Sequence, residues 1–285
     1  MNLSTLERLY CPECQGALRL MEATAWQNKD TVHRGVVACP CGHRYPIRSG
    51  ILDLKPSRQG ITLAQWTNHL PLTAWGYERF WRRRALTLLS GEPFPVEREA
   101  AVVREMMMPD PAGLYLDLGC STALQARILA AYWRDHSTNA RVVALDFAMP
   151  MLREAAALIR REGWETIDLV CADAERLPFP NRSVAGIACG GSLNEFRNPR
   201  AVLAEAQRVA AGGSASAFMS LLKGDGEAGR IERSLTRSSG IRFYTLAETR
   251  RLFEEAGWQV VAQAAWGRVA FTKILPILDK LSINS

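Results

Sequence analysis

No apolar run of about 18 residues occurs in the chain, so no segment has the length of a membrane-spanning helix. The opening residues, MNLSTLERLYCPEC, lack the basic-then-apolar order of a secretory signal, which makes the cytoplasm the expected compartment. There is no low-complexity tract. A concentrated basic stripe of the kind nucleic-acid binders carry is also missing. The net charge is +6, but residues 1–60 hold 8 Lys and Arg against 5 Asp and Glu, residues 61–112 hold 6 against 6, and the rest hold 21 against 18. The excess is spread thinly. Only Arg82-Arg83-Arg84 forms a local cluster, and it reads as a solvated helix face or as a small RNA contact.

What is present is a globular composition, 48% hydrophobic and 22% charged over 285 residues, enough for one large core and a small appendage. The seven cysteines fall into two groups. Cys120, Cys171 and Cys189 sit inside apolar runs and read as small buried residues. Cys11, Cys14, Cys39 and Cys41 cluster near the start, as YCPECQG and then ACPCGHRYPIRSGILDL.

Two tight cysteine turns about twenty-five residues apart have the layout of a zinc ribbon, each turn offering two thiolates to one tetrahedral Zn²⁺. So short a segment has little core of its own, and metal binding would supply much of its folding free energy. The second turn, Cys39-Pro40-Cys41, is one residue shorter than Cys-x-x-Cys. Either the knuckle is distorted or His43 replaces one thiolate. The rivals are a ribbon that no longer holds metal, a disulfide, which a reducing compartment disfavours, and redox chemistry, which Pro12 and Gly16 argue against by marking a turn. With four protein ligands and no open position, the expected role of zinc is structural.

From Gly113 onward, short apolar runs alternate with amphipathic segments, the pattern of parallel strands and crossover helices. The predicted strands are Leu114–Leu118, Val142–Phe147, Ile167–Ala172, Val184–Cys189, Ser214–Leu222, Gln259–Ala265 and Arg268–Thr272. The predicted helices are Thr122–Arg134, Met149–Glu162, Pro199–Ala210 and Leu246–Ala256, the last bounded by a capping box (Thr245, Glu248) and by Gly257. The expected fold class is α/β: a doubly wound, seven-stranded Rossmann-like sheet with a small N-terminal zinc-ribbon-like β module. The expected divisions are 1–58 for the module, 59–110 for a helical linker or lid, and 111–285 for the sheet domain.

In such sheets ligands bind at the carboxyl ends of the strands, near the switch in strand order. Asp146 closes the second strand, where a carboxylate can accept both hydroxyls of an adenosine ribose; the plainer reading is a helix cap. Phe147 offers a ring to adenine. Asp173 and Ala174 would meet the adenine edge, and Asp117 and Gly119 would flank the other half of the ligand.

The pieces LDLG, LPFPNRSVAGIACGGSLNEF, AVLAEAQRVAAGG and FYTLAETRRLFEEAGW together resemble the class I S-adenosylmethionine (SAM)-dependent methyltransferases, in particular the branch with the ubiquinone and menaquinone C-methyltransferases. The resemblance spans about Gly113 to Thr272. It implies SAM as cofactor, with Asp117, Gly119, Ser121, Asp146, Phe147, Asp173, Ala174 and Cys189 as the residues around it. The family loop Asp-x-Gly-x-Gly-x-Gly is altered here, with Ser121 and Ala123 at the second and third glycines. A non-glycine residue in a left-handed conformation costs on the order of 1–2 kcal/mol, so weakened rather than abolished SAM binding is expected. A nicotinamide fingerprint, Gly-x-Gly-x-x-Gly, does not fit, because Ser121 and Leu124 occupy its later positions.

The segment Ile61–Met108 carries Trp66, Trp75, Tyr77, Phe80 and Trp81, read either as a lid over the cofactor or as core between the two parts. The loop Gly190–Phe196, with Asn194 and Glu195 as its polar groups, faces where a methyl group would leave. Methyl transfer needs in-line positioning and exclusion of water more than side-chain chemistry, and no catalytic residue is assigned; Glu195 is the one candidate base. The ribbon-plus-sheet layout is similar to chloroplast and bacterial methyltransferase-like proteins and to ribosomal RNA guanine methyltransferases, and the ribbon resembles the zinc-binding activator subunit of tRNA and protein methyltransferases. Three functions follow: a methyltransferase for a small apolar or aromatic acceptor of quinone or isoprenoid type, an RNA methyltransferase whose ribbon holds RNA, and a non-catalytic scaffold.

Overall fold

The computed structural model describes residues 1–55, 83–110, 112–134, 139–224, 236 and 239–278. Trp66, Trp75, Tyr77, Phe80, Trp81 and Arg82 lie outside the described residues. The elements are α1 (Leu3–Leu6), β1 (Arg19–Asn28), β2 (Thr31–Ala38), β3 (Arg44–Arg48), β4 (Ile51–Asp53), α2 (Arg83–Ser90), α3 (Val96–Met107), β5 (Leu114–Leu118), α4 (Leu124–Trp133), β6 (Arg141–Asp146), α5 (Met149–Glu162), β7 (Ile167–Cys171), β8 (Gly186–Gly190), α6 (Pro199–Val209), β9 (Ser216–Leu221), α7 (Leu246–Glu255), β10 (Trp258–Trp266) and β11 (Val269–Pro276). No described helix is long and apolar enough to cross a membrane.

Local chemistry sets several boundaries. β5 and β7 are buried at all five positions, as strands covered by helices on both faces must be. α5 ends where Gly163 takes φ +73 and the following amide bonds back to Ile159. α7 starts at the Thr245–Glu248 capping box, and both of its reciprocal bonds form.

The expected count of seven strands is corrected to eleven, in the order β1-β2-β3-β4-β7-β6-β5-β8-β9-β11-β10. Strands β5–β11 are the seven read from the sequence. The other four are N-terminal and join the same sheet, because β4 pairs parallel with β7 at Ile51–Leu169, Leu52–Val170 and Asp53–Cys171. Without β4, β7 would present an open row of backbone groups at the edge. Six parallel strands thus form the centre, with an antiparallel meander at one margin and β11-β10 at the other.

The core is shared across this join. Leu6, Leu9, Leu18, Val32, Val37, Ile47 and Leu52 belong to the same buried cluster as Leu116, Val143, Val170 and Phe179. A polar clasp adds to it. Buried Asp168 on β7 accepts from the Asn2 amide at 2.7 Å, the Thr5 hydroxyl at 2.6 Å and Arg141 Nη2 at 2.8 Å. Arg141 Nε also donates to Thr5 Oγ1 at 2.7 Å. Each buried charge is therefore paired and hydrogen-bonded, the condition for burying it at tolerable cost.

Candidate functional site: a crevice at the strand-order switch and a cysteine–histidine cluster

The strand order reverses between β5 and β8, opening a crevice at their carboxyl ends. Its margin is formed by half-exposed residues: Gly119 and Ser121 after β5, Asp146 and Phe147 at β6, Asp173 and Ala174 after β7, and Gly190 to Ser192 after β8. Asp117 and Cys189 lie beneath it, each no more than 2% exposed. Asp117 Oδ2 accepts the Ala126 amide at 2.8 Å and so ties the first turn of α4 to β5. Burial pushes the Cys189 thiol up to about 12, helped by the negative charge of Asp117.

The loop 119–123 keeps a glycine-loop shape without the glycines. Gly119, Ser121 and Ala123 take φ values of +66, +50 and +61. Ala123 is fully buried and caps α4 in this left-handed conformation. Gly119 has a separate reason to be glycine: a Cβ there would lie 2.5 Å from the Cβ of Ser192, whose hydroxyl donates to the Gly119 carbonyl at 2.7 Å.

Asp146 closes the loop onto β6. Its Oδ2 accepts the Ser121 amide at 2.7 Å and its Oδ1 the Ala148 amide at 2.8 Å. A carboxylate has about four acceptor directions, so capacity remains on the crevice side. Burial raises its pKa, while the Ala148, Ser121 and Phe147 amides and the Lys55 ammonium pull it back down. Asp173 accepts the Glu175 amide at 2.9 Å and shapes the turn after β7.

Lys55 is the residue that sequence reasoning missed. It follows β4 directly, and its Nζ stands 4.6 Å from the centroid of the Phe147 ring. The Leu54 amide donates to the Cys171 carbonyl at 2.8 Å, so the N-terminal strands reach the crevice beside the tips of β6 and β7. The only sequence signal was an apolar run, ILDL, ending in a lysine.

The N-terminal cluster is built from two turns. Cys11, Cys14, Cys39 and His43 place four donor atoms within 4.8 Å of one another. Cys41 is exposed and stands outside this set, so of the two arrangements the sequence left open the geometry has His43 in the fourth place. Cys41 stays close enough to Cys14 for a hydrogen bond, and that bond with the neighbouring sulfurs raises its pKa. His43 Nδ1 lies 3.4 Å from Cys39 Sγ and 3.8 Å from Cys11 Sγ. A tetrahedral Zn²⁺ with bonds of about 2.3 Å to sulfur and about 2.0 Å to nitrogen has edges of roughly 3.5–3.8 Å, so the donor set fits in size and chemistry. The Tyr45 hydroxyl lies 3.1 Å from Cys11 Sγ. Burial, then that contact, raise the Tyr45 pKa and keep its hydroxyl neutral. The knuckle also braces the crevice, since the Tyr10 amide bonds the Pro178 carbonyl at 2.9 Å.

Residues 116–218 match the family described as "Methyltransferase domain". A chloroplastic methyltransferase of Arabidopsis thaliana, itself described as uncharacterized, is 29% identical over 212 residues, covering 70% of this chain and 57% of the relative. A SAM-dependent methyltransferase from Aquifex aeolicus superposes with a TM-score of 0.56 at 17% identity, over 73% of this chain and 99% of that one. Over residues 116–218 the chain thus matches a methyltransferase family, and its sheet shares the fold of a SAM-dependent methyltransferase. The [4+2]-cyclase SpnF superposes as well, with a TM-score of 0.57 at 15% identity over 78% of this chain and all of that one, so the fold alone does not specify the reaction.

Within the matched segment the loop after β8 is already engaged. Asn194, read as a polar group for the acceptor, donates from Nδ2 to the Leu221 carbonyl and accepts the Leu221 amide at 2.8 Å. Its side chain fastens β8 to β9. Glu195 is half-buried at the end of the 3₁₀ turn Ser192–Asn194. A buried pair supports the other wall: Gln125 Nε2 donates to Glu99 Oε1, joining α4 to α3, and packs against Gly190, where a Cβ would lie 3.0 Å away.

Proposed function

We propose that the protein transfers a methyl group from SAM to a small-molecule acceptor with an apolar or aromatic body. The observation that carries this is the partly buried carboxylate of Asp146 at the tip of the second parallel strand, beside a loop that holds three left-handed residues with only one glycine. In this reading Asp146 holds the ribose, Phe147 and Ala174 hold adenine, and Gly119 and Ser121 lie along the methionine half. Bound SAM supplies a methyl group already activated by its sulfonium. The chain aligns the acceptor at Gly190–Ser192 and keeps water out, and Asn194 keeps that loop in place. The cysteine–histidine cluster holds one structural zinc ion through Cys11, Cys14, Cys39 and His43, and the ion has no open position for chemistry.

Calorimetric titration with SAM tests the cofactor half. Saturable binding is expected, weakened at least about tenfold in Asp146→Ala, a loss of the size of one hydrogen bond to a charged group. Absence of binding at millimolar SAM would leave a scaffold. Incubation with methyl-labelled SAM and fractionated cell extract tests the acceptor half: label in the small-molecule pool is expected, and label in RNA would overturn it.

A further inference from the structure

A cleft of about 1060 Å³ lies between the segments that follow β8 and β9, the first turn of α6, residues 242–244 and α7. None of its residues belongs to the cofactor reading above. Five cationic side chains line it, from Arg197, Arg200, Lys223, Arg242 and Arg251, against two carboxylates, Glu248 and Glu255. The rest of the chain spreads its charge thinly, so a local net charge of +3 in one concavity stands out from that background.

The pairing within the cleft shows which cations are committed. Arg200 reaches Glu255 at 2.6 Å and Lys223 reaches Glu248 at 2.6 Å. Arg242 is fixed by neutral oxygens instead, donating from Nη1 to the carbonyls of Phe196 at 2.8 Å and Arg197 at 2.9 Å. Its charge is therefore positioned without being cancelled. Arg197 stands 3.7 Å from Glu175 and is more than half exposed, so that ion pair is weak. Arg251 has no ion-pair partner among the described residues. Phe243 and Leu252 give the cleft an apolar side. Arg197 follows the β8 loop and Lys223 follows β9, so these two cations lie past the carboxyl ends of parallel strands.

We infer that this cleft binds an anionic group, phosphoryl or carboxylate, carried by the methyl acceptor, with Arg197, Arg242 and Arg251 as its cationic contacts and Phe243 against its apolar part. Guanidinium groups match both anions with paired N–H donors. The assignment rests on the methyltransferase reading and narrows its substrate class to acidic amphiphiles.

The test is calorimetry on the full chain with inorganic pyrophosphate and with citrate, each with and without S-adenosylhomocysteine. Saturable single-site binding of at least one anion at about 1 mM or tighter is expected, and the tighter of the two identifies the group. Arg251→Glu should weaken it by about tenfold or more, because it places a repelling charge at the site. Arg160→Glu, an equal charge change on an exposed position of α5, should leave it unaltered. Equal losses in the two variants would mean unspecific attraction and overturn the assignment. Tighter binding of a single-stranded RNA oligonucleotide, falling steeply with salt, would overturn it in favour of a nucleic-acid surface. Homocysteine-analogue binding without anion binding sinks the cleft alone, whereas anion binding without S-adenosylhomocysteine binding sinks the methyltransferase reading.

Discussion

The two margins of the β4–β7 junction are stabilised in different ways. On the body side, β5, β6 and β7 are buried on both faces by helices, and their order is a matter of apolar burial. On the N-terminal side, β1 is mostly exposed along its ten residues, β2 buries only Val32, Gly35 and Val37, and β3 only Tyr45 and Ile47. That meander depends on what is attached to it: the cysteine–histidine cluster at one end, the Asp168 clasp at another, and the pairing of β4 with β7. The lesson is that the N-terminal strands extend the parallel sheet and share its core. What holds them therefore also holds Lys55 beside Phe147 and the loop after β7 against the knuckle.

The sharpest way to break this comparison is to remove a residue of the proposed zinc site. Cys39→Ser, or extended chelation, should cost more than about 4 kcal/mol of the stability of the N-terminal strands. Circular dichroism melting would show it, and SAM affinity should fall in the same samples because the Tyr10–Pro178 brace loosens. Unchanged melting would show that packing alone sustains the meander. Next comes Asp168→Ala, which takes the carboxylate from partly buried Arg141 and from the Asn2 and Thr5 donors; a loss of about 3 kcal/mol in urea titration is expected. If the loss is below about 1 kcal/mol, the clasp is dispensable and the shared apolar core is sufficient.

A smaller effect concerns proton linkage at the crevice. Because burial raises the Asp146 pKa, its protonated form builds up at a higher pH than for an ordinary aspartate. SAM affinity should therefore fall as the pH falls through that raised value, since a protonated carboxyl loses acceptor capacity. Lys55→Ala removes a cation that favours the charged form and should move the midpoint further up. A midpoint unaffected by Lys55→Ala would separate the N-terminal strands from the crevice electrostatically. The smallest effect is at Ala123→Gly, which relieves a left-handed alanine while loosening the unfolded chain. A gain of up to about 1 kcal/mol is expected by denaturant titration. A loss would mean that the buried methyl group outweighs the backbone strain.

The parts legible in the sequence were those set by neighbours along the chain. Helix α5 falls where its periodicity put it, β5 likewise, and the capping box of α7 forms as Thr245 and Glu248 indicated. Placement of Asp146 and Phe147 at one crevice followed from strand ends and switch-point topology. His43 against Cys41 was left open, since two residues of spacing cannot say which way a turn points its side chains. Asn194 read as an acceptor group, because nothing local shows that Leu221, 27 residues on, takes both ends of its amide.

Sequence alone determined the alternation of strands and helices, the acidic and aromatic residues at the strand tips, and the two cysteine turns. These depend on periodicity and on contacts a few residues apart. Only the tertiary structure decided that β4 would lie beside β7, that Lys55 would stand over Phe147, and that five scattered cations would share one cleft. Such pairings join residues about ninety or more positions apart or gather side chains from four separate segments, and only the packed sheet brings them within reach.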